Sequence, residues 1–432
     1  MNEKTSRRTF LKHSSAAFAG ASLLTEAAHA RDMARGDDTL RVALVGCGGR
    51  GTGAAIQALS TAGPVKLVAM ADAFRDRLEN SLGTIAKRVG DRVDVPEERR
   101  FVGFDAYEKA IDSDVDVVIL TTPPGFRPIH FAHAIERDKH VFMEKPVAVD
   151  APGIRTVLAA GELAKQKNLK VGVGLQRHHS KKYRETVQRI QDGAIGDVVL
   201  LRCYWNGSGV WVRPRKEGMT EMEYQMRNWY YFNWLCGDHI TEQHIHNLDV
   251  CNWIMDGFPV RAQGQGGRQV RTGRDHGEIY DHHMVEFTYA DGTKMLSQCR
   301  HIKGCWDSVS EHAHGSAGSA NVGAGRIQGK GGWDWRFDGK DPDNYQVEHD
   351  ALFAAIRADR PHNEAEYGAK STMTSILGRM ATYSGQSLAW DDALASDLSL
   401  APARYAWDAA PPTVPDEDGR YPIPMPGLTK VI

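Results

Sequence analysis

The sequence predicts an α/β chain in two parts: a doubly wound parallel sheet first, then an α+β domain built on a large, mainly antiparallel sheet. Three observations carry that expectation. A β-rich run, Leu40 to Val45, breaks directly into a glycine-rich turn and a helical stretch. Apolar runs at Val65 to Ala71, Val115 to Leu120 and His140 to Met143 recur at strand–helix–strand spacing and are near-continuous, as strands buried on both faces must be. Beyond Asp150 the runs alternate instead, at Val198 to Tyr204, His282 to Tyr289 and Thr293 to Cys299, with Asp291-Gly292 as the turn signal between the last two.

Composition narrows the function classes. The chain has 432 residues, 41% hydrophobic and 25% charged, with a net charge of −2. That is enough chain for two substantial cores and too mixed a composition for disorder. Nucleic-acid binding is not expected, because the basic excess that neutralises phosphates is missing. No apolar run reaches the ~18 residues of a membrane span. Cys47, Cys203, Cys236, Cys251, Cys299 and Cys305 form no C-x-x-C pair, so all six are expected as free thiols.

The N-terminus reads as an address. Ser6-Arg7-Arg8-Thr9-Phe10-Leu11-Lys12 is a twin-arginine signature, followed by a mildly apolar stretch from Ala16 to Leu24 and a small-x-small site at Ala28-His29-Ala30. The expectation is a signal peptide over 1–30, a polar leader over 31–38, and delivery by the twin-arginine export machinery to the periplasm or beyond. A basic amphipathic arm is the alternative. That route carries folded proteins, which suits a cofactor loaded before export and a fold that does not depend on disulfides.

Residues 39–165 are expected to bind a dinucleotide. Gly46-Cys47-Gly48-Gly49-Arg50-Gly51 is G-x-G-x-x-G between a strand and a helix, the Rossmann arrangement. Its glycines serve the tight turn, the backbone approach to a pyrophosphate and close helix–strand packing. The helix start adds unpaired N–H groups and partial positive charge. Asp72 ends the second strand 21 residues past Gly51. An acid there accepts from both ribose hydroxyls and repels a 2′-phosphate, favouring NAD; Arg75 leaves room for NADP. A helix N-cap is the structural alternative for Asp72. Thr121-Thr122-Pro123-Pro124 breaks the chain at the carboxyl end of a later strand, where doubly wound sheets bind ligands.

Thr122-Pro123-Pro124, then His130, then Lys139-His140-Val141 leading to Glu144-Lys145-Pro146 resembles the glucose–fructose oxidoreductase / inositol dehydrogenase (Gfo/Idh/MocA) family. The resemblance implies that Lys145 lies beside the nicotinamide and the substrate hydroxyl, and that the bond before Pro146 is cis. Thr122, Pro123, His130 and Glu144 are the accompanying cofactor-site candidates. Gln176-Arg177 resembles the family's entry to the second domain and is expected to touch substrate. His314 to Ser319 resembles its glycine-containing turn, and the second sheet is expected to make a homo-oligomer.

Residues 166–410 are the expected substrate domain. Aromatics concentrate within 206–236 beside Arg213, Arg215 and Arg227; they suit a sugar ring, internal packing or a subunit interface, with Trp229 the candidate substrate contact. Gly237 onward reads as a helix running to Ile254, which places Glu242, His246 and Asp249 on one face. The family helix usually carries Asp-x-x-x-His-x-x-Asp with the His as general base; Glu242 here replaces the first Asp. His246 is then the base, Glu242 its orienting carboxylate and Asp249 either a support behind the reacting groups or a substrate contact. A metal set of His239, Glu242, His244 and His246 is the rival, weakened because His244 and His246 point to opposite sides of a helix, and no metal is expected. Helices over 345–359 and 366–384 and a Pro-rich tail over 411–432 complete the chain.

These residues suit hydride transfer between a nicotinamide and a hydroxyl carbon of a sugar, glycoside or cyclitol. The alternatives are redox-neutral glycoside cleavage or epimerisation through a transient keto-sugar, and a non-catalytic nucleotide- or sugar-binding protein. Export favours a tightly held cofactor, because free NAD is not dependable outside the cytoplasm.

Overall fold

The computed structural model describes residues 38–432; the expected signal peptide, and the leader up to residue 37, lie outside the described residues. Six parallel strands form the first sheet: β1 (Leu40–Val45), β2 (Val65–Asp72), β3 (Arg100–Val102), β4 (Val117–Leu120), β5 (His140–Met143) and β6 (Val171–Val173). Their spatial order is β3-β2-β1-β4-β5-β6. The order reverses between β1 and β4, which opens a crevice above their carboxyl ends. β6 lies beyond the boundary expected at residue 165, so the sheet takes in residues first assigned to the second domain. The run Lys170 to Leu175 is legible as a strand; its membership of the first sheet follows only from its parallel pairing with β5.

Every strand centre is apolar because helices cover both faces. Val42, Leu44, Leu67 and Ile119 pack on one side under the Gly49–Leu59 helix; Val45, Val118 and Val141 face the other side with Phe131 and Ile154. The helix Asn344–Arg357 returns from the far end of the chain to close the first of these layers with Leu352 and Phe353.

The second sheet has nine strands: β7 (Val198–Gly207), β8 (Arg261–Gly267), β9 (His282–Thr288), β10 (Lys294–His301), β11 (Ser308–Gly315), β12 (Gly318–Asn321), β13 (Arg326–Gly329), β14 (Asp334–Arg336) and β15 (Leu388–Ala389). Their order is β14-β13-β12-β11-β7-β10-β9-β8-β15, antiparallel throughout except for the parallel pair β7–β10. The β9–β10 hairpin turns at Gly292, whose φ of +89° only glycine adopts freely, while Asp291 accepts from the Thr293 N–H at 2.9 Å. The Ala365–Ser384 helix is buried from Ser371 to Ser384 and packs on both β8 and the Ala151–Gln166 helix, joining the two domains through one core. The tail over 411–432 has no helix or strand; Tyr421 and Val431 are buried, and Pro424 O accepts from Tyr280 at 2.9 Å. No helix of the described residues is long and apolar enough to cross a membrane.

One expected element divides. The run 237–254 forms two helices, His239–Glu242 and Ile245–Met255, with a pivot at Gln243–His244. There both Gln243 N–H and His244 N–H donate to the His239 carbonyl.

Candidate active site

The glycine turn is fixed by two close approaches. Gly46 has φ +97°, and a Cβ on Gly51 would stand 2.0 Å from the Gly46 carbonyl oxygen. A Cβ on Gly48, by contrast, would meet nothing within 4 Å, so the turn presents bare backbone to open space at the start of a helix. That is the cradle a pyrophosphate needs, and the residues present fit a dinucleotide. Asp72 Oδ2 accepts from the Cys47 N–H at 2.6 Å and Oδ1 from the Phe74 N–H at 2.9 Å. Each oxygen keeps a lone pair for a ribose hydroxyl. The N-cap position of the following helix belongs to Phe74, not Asp72.

A cavity of about 430 Å³ runs along this crevice, with Asp72, Arg77, Tyr107, Thr122, Pro123 and His130 among its walls. His130 stacks on Tyr107 at 4.0 Å and its Nδ1 lies 3.2 Å from Thr122 Oγ1, so it shapes the wall beside Pro123. Burial, aided by the Arg127 charge, holds His130 far below the usual imidazole range. Arg50 lines the same cavity, where its Nε pairs with Glu144 Oε1 at 2.7 Å and its guanidinium lies over Tyr345. Arg75 is not a crevice residue. It pairs on the surface with Glu79 and Glu97, and Arg77 lines the cavity in its place.

The aromatic segment is the crevice's roof. Trp211, Arg213, Met226 and Trp229 complete its lining, with Trp211 and Trp229 edge to face at 5.8 Å. Trp229, the candidate substrate contact, lies in the lining of this crevice. Arg227 latches the roof to the helix after Asp72, pairing with Asp76 at 3.2 Å and covering Phe74 at 4.0 Å. Trp407 from the C-terminal region packs on the same edge, 5.1 Å from Phe74 and 4.6 Å from Phe104.

Lys145 follows β5 at the crevice end of the sheet, and its bond to Pro146 is cis. Its Nζ donates to the Glu242 main-chain oxygen and lies 3.2 Å from Glu242 Oε1. The expected partnership of Glu242 with His246 is thus replaced by one with Lys145. The reason is the pivot at Gln243–His244, which removes the i, i+4 register. His246 stacks on Trp205 at 5.9 Å, and its buried Nδ1 has no hydrogen-bond partner. Burial first, then the charges of Lys145 and Arg177, hold its imidazole well below the usual range.

Beneath this pair lies a polar network that fixes the other candidates. Arg177 pairs with the fully buried Glu311, which also accepts from Asn247 Nδ2 and, at 3.3 Å, from Tyr183 OH. Gln176 Nε2 donates to Tyr345 OH at 2.9 Å, leaving its Oε1 unpartnered. Asp249 is held within the protein, with Ser371 Oγ on one carboxylate oxygen at 2.7 Å and His178 Nε2 on the other at 2.9 Å, and each oxygen keeps a further lone pair. Arg177, Gln176 and Asp249 are thus each held by partners within the protein, and the Arg177 charge reaches His246. The rival metal set is dispersed, with His244 on Ser297 Oγ at 2.7 Å, His239 on Asp238 and Glu242 on Lys145. Asp238, His239 and His283 do gather. The Asp238 carboxylate already receives the Tyr280 N–H, the Tyr383 hydroxyl and the His239 imidazole, and His283 Nε2 lies 3.2 Å from it.

Residues 40–175 match the family model described as "Oxidoreductase family, NAD-binding Rossmann fold", and residues 183–321 match the "GFO/IDH/MocA C-terminal domain". The chain belongs to the Gfo/Idh/MocA oxidoreductase family. Among curated relatives, inositol 2-dehydrogenase of Burkholderia lata is 27% identical over 263 residues, which is 60% of this chain and 66% of that protein. The match thus spans just under two thirds of that relative. Among solved structures, aldose-aldose oxidoreductase from Caulobacter crescentus, complexed with glycerol, aligns with TM-score 0.64 at 18% identity, covering 81% of this chain and 99% of that one. Scyllo-inositol dehydrogenase from Lactobacillus casei, with bound NAD(H) and scyllo-inositol, aligns with TM-score 0.60 at 18% identity, covering 82% and 100%. At these identities the structural likeness establishes the family fold.

Sequence reasoning missed Glu311, Trp205, His178 and the roof residues Trp211 and Met226. Asn247 stood inside the densest polar run, where a signal existed; Glu311 reaches Arg177 from 134 positions away, which no local pattern reveals.

Proposed function

We propose that this chain is a nicotinamide-dependent dehydrogenase acting on a CH–OH carbon of a sugar, glycoside or cyclitol. The observation that carries the reading is the convergence of Lys145, braced by Glu242, with a buried and unpartnered His246 at the crevice end of β5. A nicotinamide cofactor, when bound, supplies a hydride acceptor or donor. The protein's residues do the rest. His246 is kept neutral by burial and by neighbouring cations, so its imidazole is in the form that accepts the hydroxyl proton as the carbon is oxidised. An ammonium has three N–H donors. Lys145 directs donors to the Glu242 main chain and carboxylate, which orients the remaining one toward the alkoxide that develops on the substrate oxygen.

The backbone-anchored Asp72 supports NAD as the preferred cofactor. The roof latched by Arg227 supports a cofactor that stays bound between turnovers, in keeping with export by the twin-arginine route to the periplasm. Enclosure also favours a second reading: redox-neutral cleavage or epimerisation through a transient keto-sugar, whose signature is product without net NADH. Homo-oligomerisation through the second sheet is part of the proposal, supported by Tyr204 and Trp306, in contact at 5.4 Å, and by the exposed Met284 on its outer side.

The test is a panel of cyclitols, aldoses and glycosides assayed for both NADH and product, with Lys145→Ala alongside. The expected result is turnover that collapses in the variant while the nucleotide stays bound. Loss of the nucleotide instead would assign Lys145 to cofactor binding.

A further inference from the structure

A second cavity, of about 540 Å³, opens on the flank of the glycine turn. Cys47, Gly48 and Thr52 form one wall, the outer face of the Arg75–Val89 helix a second, and the roof segment the third. Its charged lining is unbalanced: Arg77, Arg213, Lys216 and Arg227 against Asp76 alone. Arg227 is answered by Asp76 and Glu223. The side chains of Arg77, Arg213 and Lys216 make no ion pair or hydrogen bond among the described residues; Arg213 only covers the Trp211 ring at 4.8 Å.

Asp72 and Asp76 answer Arg77 in part, but the cations outnumber the acids, and like charges crowded in this way cost free energy; here they come from two domains. Partial burial, then Arg77 and Arg227, pull Arg213 below its usual range. A phosphate relieves that crowding, because guanidinium groups bind phosphate through charge-assisted hydrogen bonds. The backbone at Cys47 and Gly48 is shared with the dinucleotide crevice, and Arg77 lines both cavities. A phosphate here therefore belongs to the adenosine half of a dinucleotide lying on Asp72.

We propose that Arg77, Arg213 and Lys216 form a phosphate subsite for the cofactor, assembled across the two domains. The inference rests on the dinucleotide reading above and assigns to the roof a direct part in binding. Two groups share the required chemistry, the 5′-pyrophosphate and the 2′-phosphate of NADP.

The experiment is calorimetric titration of the full chain, freed of nucleotide, with adenosine 2′,5′-bisphosphate, ADP-ribose and adenosine. Wild type is compared with Arg77→Ala and with the double variant Arg213→Ala, Lys216→Ala. The expected result is an affinity loss of about tenfold or more for a phosphorylated probe, with adenosine unaffected. Loss confined to the bisphosphate assigns the 2′-phosphate; loss shared by ADP-ribose assigns the pyrophosphate. Unchanged affinity for both probes overturns the subsite, as does an equal loss for adenosine. If wild type binds neither these probes nor NAD, the dinucleotide reading fails and the subsite with it.

Discussion

Glu242 offers the sharpest perturbation, because its expected role and its observed role differ. Its carboxylate lies 3.2 Å from Lys145 Nζ, with side-chain exposures of 15% and 12%, so the pair is shielded from the screening that makes surface ion pairs weak. A hydrogen bond to a charged group in such a place contributes about 1.5–3 kcal/mol. If it orients the donor that meets the developing alkoxide, Glu242→Ala lowers kcat by roughly 10- to 150-fold, with kcat/KM falling in step. Glu242→Gln keeps the shape and an acceptor, and the main-chain contact survives in both variants, so its loss is smaller, about fivefold for ~1 kcal/mol. Steady-state kinetics on the best substrate of the panel give both numbers, with thermal unfolding and nucleotide content as controls. An alanine variant with kcat within twofold of wild type refutes the reasoning. So does one that fails only by raising KM.

Four further outcomes follow from the geometry. His246→Gln should lower turnover by about 10²–10⁴-fold, the usual worth of a general base. Because the His246 pKa is depressed by burial, activity should hold as pH falls past the ordinary histidine value of ~6.5 and be lost only below it, so an acid limb above that value contradicts the assignment. Gly51→Ala forces a Cβ to 2.0 Å from one backbone oxygen and 2.4 Å from Thr121 Oγ1; calorimetry should show destabilisation of about 1–3 kcal/mol, and an unchanged Tm refutes the packing argument. Glu348 is buried with both oxygens unpartnered, and burial, then Glu144, raise its pKa well above the usual carboxylate range. Its charged form therefore costs stability that appears as pH rises above the unfolded value of ~4.3. Glu348→Gln should raise Tm at neutral pH and leave it little changed near pH ~4; equal Tm values at neutral pH would contradict that sign.

What could be read from the chain was local. The glycine turn, Asp72 and the Asp291-Gly292 hairpin are each dictated by a few neighbouring residues whose backbone or periodicity has one use. What could not be read depends on distant chain. The short polar strands β12 to β14 exist because neighbouring strands pair with them, and the run Lys170 to Leu175, legible as a strand, joins the first sheet only through its pairing with β5. The segment 206–236 carried three readings because its composition suits sugar, packing and interface alike; only the fold lays it over the crevice. The helix register of Glu242 and His246 failed for a smaller reason. His244 turns to Ser297 on β10, and the buried Asp238, held at φ +68°, fixes where the short helix starts. Those tertiary bonds interrupt a run whose propensity alone would continue.

On the reading proposed above, the enclosed crevice holds a nicotinamide cofactor used by Lys145 and His246. The most direct test is to purify the full-length chain, denature it and identify the released nucleotide by mass spectrometry. The prediction is near-stoichiometric NAD(H) or NADP(H). Protein that is empty and also fails to bind either nucleotide when it is added would contradict the account and leave a non-catalytic binding protein as the better reading.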